Sequence, residues 1–218
     1  MAKVIESTAG IFNGKIGGIV YYQVGGKTYA RKAPPKQSKA QKKNVSPLKK
    51  IYQNKMALTQ NYLKPLTKAI AFGFQEFENG ARRPFHACVS YTLNNCFVPD
   101  GVEFAIDPSL FKVSHGSLLP PENAKAEKVG VGFKLTWNNN SQTSNAKPWD
   151  KAFIVLHNPE QNSATHIMLG NDRSSKSQFI ALAANNINSN WHVYLAFSQE
   201  QPRNGKMLVS DSVYLGLL

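Results

Sequence analysis

Gly26-Lys27-Thr28 ends like a phosphate-binding loop, in which backbone amides fan around an anion and a helix N-terminus stands behind them. The spacing of that motif calls for a first glycine at the place of Tyr21, which instead sits in a β-branched and aromatic run. No helix begins directly after Thr28, so nucleotide binding is not expected here. Ser46 and Lys49 have the spacing of the serine–lysine pair of penicillin-recognising enzymes. No Lys-Thr-Gly strand accompanies them, and Ser46 before Pro47 reads as a helix cap. The histidines His86, His115, His157, His166 and His192 lack HExxH or CxxC partners for a metal. Those in strand-like runs are expected to be structural, hydrogen-bonded imidazoles. Acids are sparse, and Asp107, Asp150 and Asp172 each read as turn or cap residues. Ser210-Asp211-Ser212 falls in the last apolar run without the sharp turn of a nucleophile elbow. Cys88 and Cys96 lie in a helix and its exit and read as reduced thiols. These residues point to no enzyme, no cofactor, no metal and no small-molecule substrate.

The charge distribution is more informative. The chain has 218 residues and a formal net charge of +13, yet there is no Asp or Glu between Glu6 and Glu76. Residues 7–75 hold 13 of the 26 Lys and Arg, so the rest of the chain is electrically balanced. An excess confined to one third of a chain marks an interaction surface rather than general solubility. The N-terminus has no signal-peptide apolar run, and no stretch approaches the roughly 18 apolar residues of a membrane helix. A cytoplasmic protein, free or within a larger particle, is expected, without membrane insertion.

The elements that carry this charge begin with GIVYYQV and KTYAR around Gly25-Gly26, the signature of a two-residue hairpin. Its register sets Tyr22 against Tyr29, Val20 against Arg31 and Val24 against Lys27. An isolated hairpin is marginal in water, so Ile19, Tyr21, Tyr22, Gly25, Gly26 and Tyr29 are expected to form an assembly contact. Ala33-Pro34-Pro35 ends strand pairing, and a lysine-rich arm follows. Lys27, Arg31, Lys32, Lys36, Lys39, Lys42, Lys43, Lys49 and Lys50 are the candidate polyanion-binding residues. Lysines neutralise phosphates without reading bases, and the tyrosines could stack on them. Cross-strand packing is the simpler role for those rings.

Ser46-Pro47 starts a helix with Leu48, Ile51, Tyr52 and Tyr62 on one side. Pro65 interrupts it, and Leu66, Ile70 and Phe74 support a short second helix. PFHACVSYTLNN gives a third, with Phe85, Cys88, Val89 and Leu93 as its apolar stripe. From about residue 108, alternating runs recur between turns: 111–114, 129–137, 152–157, 165–169, 178–182, 191–197 and 207–215. The expected fold is α+β: a hairpin and basic arm (residues 1–45), a helical segment (46–107), and an antiparallel β-sandwich of fibronectin type III or immunoglobulin type (108–218).

The phrases GKIGGIVYYQVGGKTYARKAP, Gly73-Phe74, SYTLNN, SHGSLL, LTWNNN, DKAFIVLHNPE, VYLAF and SDSVYLG together resemble an uncharacterised family of Bacteroidota proteins, a domain of unknown function. The likeness runs over nearly the whole chain and implies no activity, cofactor or catalytic residue. About the first 70 residues are also similar, more weakly, to small proteins encoded near phage and mobile-element genes. The expectation is a non-catalytic structural protein that assembles with itself through the hairpin and arm. The alternatives are sequence-independent binding of nucleic acid, or of an acidic partner protein, by the same basic third.

Overall fold

Gly25 and Gly26 take φ values of 58° and 74°, left-handed positions that strain any residue with a Cβ. Their turn joins β3 (Ile19–Val24) to β4 (Lys27–Lys32). Tyr22 faces Tyr29, Val20 faces Arg31 and Val24 faces Lys27, which is the register the sequence implies. A second tight turn, with Gly17 at φ 57°, pairs β2 (Gly14–Ile16) with β3, and β1 (Ala2–Lys3) adds to β4. The sheet therefore runs β1-β4-β3-β2. The computed structural model describes residues 2–3, 13–36, 38, 45–79, 82–101, 103–183, 189–201 and 207–218. The chain divides into two units: Met1–Tyr52 with Asn79–Ala81, and Gln53–Glu78 with Arg82–Leu218.

Ser46 Oγ accepts the Lys49 amide at 3.4 Å, and Pro47 opens α1 (Pro47–Leu63), where its fixed φ and missing N–H suit the first turn. Of the apolar set expected on this helix, Leu48, Ile51 and Tyr52 are exposed, and Tyr62 alone packs against the core. Pro65 falls in a 3-10 turn (Lys64–Leu66), then α2 (Thr67–Gly73) and α3 (Pro84–Asn95) follow. The β5–β6 hairpin comes next (Phe97–Asp100, Glu103–Ile106).

The remaining strands are β7 (Glu122–Val129), β8 (Gly132–Asn138), β9 (Lys151–Asn158), β10 (Ser163–Ile167), β11 (Ser177–Ala181), β12 (His192–Glu200), β13 (Met207–Val209) and β14 (Val213–Leu217). They build two antiparallel sheets, β11-β8-β7 and β10-β9-β12-β13, with β14 also paired to β12. The fold is thus α+β and mostly strand.

β9 and β12 explain how the second unit holds together. Alternate residues of a strand face opposite ways, and here both sides are buried. Ile154, Leu156, Val193, Leu195 and Phe197 share one core with Phe133, Leu135 and Trp137 of β8. Phe153, Val155, Tyr194 and Ala196 share another with Leu63, Leu66, Ile70, Phe74 and Cys88 of the helical region. At about 1.5–3 kcal/mol for each large apolar side chain buried, these two cores dominate the unit. The helices of this unit, expected as part of a separate helical segment (46–107), therefore share a core with the strands.

Other expectations need correction. Residues 111–114 are not a strand: the Val113 amide donates to Ser212 Oγ at 3.0 Å rather than to a ladder. The run 207–215 is broken into β13 and β14, and Ser210, Asp211 and Ser212 form the junction rather than strand interior. β7 was not anticipated because ENAKAEKV is polar, and only its alanines pack inward. Asp150 is no simple turn residue. It is wholly buried and paired with the equally buried Arg173, Nε to Oδ2 at 3.1 Å. Arg173 also donates to the Leu119 carbonyl at 2.9 Å and lies 3.8 Å from the Phe197 ring centroid.

Candidate functional site

The alternation of β3 and β4 sorts the expected contact residues onto two faces. Opposed residues share a face, so Lys15, Val20, Tyr22, Val24, Lys27, Tyr29 and Arg31 lie together. Tyr22 and Tyr29 stack at 5.8 Å and 23°, and the Arg31 guanidinium stands 5.7 Å from the Tyr22 centroid. This face is aromatic and basic. The other carries Ile16, Ile19, Tyr21, Ala30 and Lys32, with Ile16 and Ile19 exposed at 56% and 43%. The three tyrosines are thus divided as the hairpin register implies, Tyr21 on the face away from Tyr22 and Tyr29. Lys36, Lys49 and Lys50 are exposed, and Lys39, Lys42 and Lys43 lie outside the described residues. No residue of this unit whose burial is described is buried, and residues 1–52 carry eleven Lys and Arg against the single Glu6.

A second constellation, in the other unit, was not expected. Asp211 accepts from Lys112 Nζ on one oxygen and pairs with His115 Nδ1 on the other, and the Gly116 amide also reaches it at 3.2 Å. Partial burial pushes the Asp211 carboxyl up, but the bonds from Lys112 and His115 outweigh this and hold it below the usual carboxylate range. Ser114 Oγ donates to the Ser210 carbonyl at 2.6 Å. Glu76 accepts from the Ser117 hydroxyl at 2.8 Å and the Val209 amide at 2.7 Å. Gly73 and Gly116 let the chains approach: a Cβ on Gly73 would lie 2.1 Å from the Val113 carbonyl, and one on Gly116 2.2 Å from that of Val209. Three of the quoted phrases, Gly73-Phe74, SHGSLL and the start of SDSVYLG, meet in this knot.

His115 stacks on Phe77 at 5.1 Å and 17° and lines a cavity of about 230 Å³. A larger cavity of about 500 Å³ lies beside Tyr62, Phe104 and Ile106. Behind Tyr62 is His157, expected as a hydrogen-bonded imidazole but buried with neither ring nitrogen partnered. Burial drives its pKa down to about 3, with the neighbouring His192 adding to the effect. Cys88 is buried and its thiol pushed up by desolvation, and the same cause raises Cys96 to about 12. Both are poor nucleophiles. Among the described residues no group of three or more His, Cys, Asp or Glu could hold a metal ion, and no helix is long and apolar enough to cross a membrane.

The fold and these sites define an α+β protein with an antiparallel β body and a basic, exposed N-terminal sheet. Residues 11–216, nearly the whole chain, match one family, and the chain belongs to it: the family of unknown function DUF6266. No curated protein and no solved structure matches the chain.

Proposed function

We propose that this chain is a non-catalytic structural protein that assembles with copies of itself through its N-terminal sheet. The observation that carries this is a four-stranded sheet in a unit where no described residue is buried. Such a sheet gains little from burial on its own and is completed by a neighbour. The face holding Ile16 and Ile19 supplies apolar area, and the short outer strand β2 offers a backbone edge for strand addition. Exposed Leu48, Ile51 and Tyr52 on α1 add further apolar surface. The weaker likeness to phage and mobile-element proteins fits a component of a larger particle in the cytoplasm.

The body is best read as a fibronectin type III-like sandwich. Counting from β7, the first, second and fifth strands lie in one sheet and the other five in the second, and two antiparallel sheets packed over a shared apolar core support that reading. Neither cysteine lies in its strands.

The opposite face of the N-terminal sheet supports a second reading, sequence-independent binding of nucleic acid. Lys15, Lys27 and Arg31 surround the stacked Tyr22–Tyr29 pair with no acid among them, suited to phosphate contact. One pair of substitutions separates the readings. Ile16→Lys with Ile19→Lys removes apolar area and adds charge, so sedimentation velocity should show self-association lost while filter binding to single-stranded DNA holds or strengthens. A wild-type chain that stays monomeric at every concentration refutes assembly, and DNA affinity indifferent to salt refutes the second reading.

A further inference from the structure

We propose that the cavity beside His115 binds a small oxyanion, a carboxylate or a phosphate, held by Arg82 and His115 against an aromatic wall. Every residue named in its lining belongs to the second unit. Phe77, Arg82, Ser90, Tyr91, Asn94 and His115 contribute to its lining. They come from the turn after α2, the start of α3, its exposed side, and the loop before β7.

Two groups that can carry positive charge converge on one ring. The Arg82 guanidinium stands 5.8 Å from the Phe77 centroid, and His115 stacks on the same ring. A guanidinium presents paired donors that match the two oxygens of a carboxylate or phosphate. Asp211 occupies His115 Nδ1, which leaves Nε2 as the nitrogen for a ligand. A bound anion would accept a hydrogen bond from that nitrogen, while Nδ1 faces the Asp211 carboxylate. Among the described residues no acidic side chain lines the cavity, and the ammonium of Lys112 balances Asp211 behind the ring.

The ring is also well held. Glu76 ties Ser117 to Val209, and Gly116 packs where a Cβ would strike the Val209 carbonyl, so the loop has little freedom to swing. A volume of about 230 Å³ falls below the range of pockets for drug-sized ligands, which selects an anion the size of phosphate or benzoate. Binding is favoured over catalysis because the Lys112 ion pair weakens the pull of Asp211 on the imidazole, and no hydroxyl bonds to His115 to be activated.

The test uses the full chain labelled with 15N-histidine, at about 0.15 M salt to screen the exposed lysines. Inorganic phosphate and sodium benzoate are added in separate titrations, and the His115 imidazole signals, assigned through His115→Gln, are followed. Saturable shifts are expected with at least one anion. Benzoate alone points to a carboxylate on a flat apolar body, phosphate alone to a phosphate ligand. Arg82→Gln, at an exposed position, should weaken binding by about tenfold or more with an unchanged unfolding midpoint, and Lys27→Gln should leave it intact. The proposal is overturned if neither anion moves His115, if Arg82→Gln binds like the wild type, or if Lys27→Gln abolishes the shifts.

Discussion

Replacing His157 by Phe should make the protein markedly less sensitive to acid. His157 has no exposed surface, meets Tyr62 edge-on at 4.5 Å, and lies opposite His192 across β9 and β12. Its pKa is about 3 in the folded chain, whereas an unfolded histidine titrates near 6.5. Between those values the unfolded state takes up a proton that the folded state refuses. Proton uptake therefore adds no cost above about pH 6.5, and stability falls as the pH drops below it, by about tenfold in the folding equilibrium for each pH unit. From pH 7 to about pH 4.5 the loss amounts to roughly 3 kcal/mol from this one group. The phenyl ring of His157→Phe keeps the contact with Tyr62 but cannot titrate. Urea unfolding of both proteins at the two pH values should show the variant losing roughly 3 kcal/mol less than the wild type. The comparison cancels titrating groups remote from His157. If both proteins lose the same stability on acidification, His157 is not the buried neutral group described here.

Two further substitutions probe the second unit. Arg173→Met removes one partner of the buried Arg173–Asp150 pair and should cost about 3–5 kcal/mol in guanidinium unfolding, because Asp150 is left charged in the interior; adding Asp150→Asn should restore part of that loss. Gly73→Ala would drive a Cβ to 2.1 Å from the Val113 carbonyl, and thermal unfolding should report a loss of about 1–3 kcal/mol or more.

What could be read from the sequence was what short stretches determine by themselves. The Gly25-Gly26 hairpin and its register follow from backbone freedom at adjacent residues. The start of α3 at Pro84 follows from proline's fixed φ. β7 and the β5–β6 hairpin were missed because their residues are too polar, or too few, to stand out from loops. The run AFIVL did hold a readable sign: a strand apolar at every position is covered on both faces, which is why the helices share its core. The Asp211 knot was not readable, since Lys112 and His115 lie almost a hundred residues from Asp211 and only the fold joins them. The one hint was Ser-Asp-Ser interrupting an apolar run. The division of the N-terminal tyrosines, Tyr21 on one face and Tyr22 with Tyr29 on the other, follows from the same register.

β9 has no outside. Helices and β8, made before it, supply much of what covers its two faces, but the strand that pairs along one edge of it, β12, is made long after. A nascent chain that has just emitted this strand has nothing yet to bond along that edge. The second unit must therefore wait for the ribosome to reach residue 200 or so before it can shut, and until then its stickiest stretch is the one most in need of shelter.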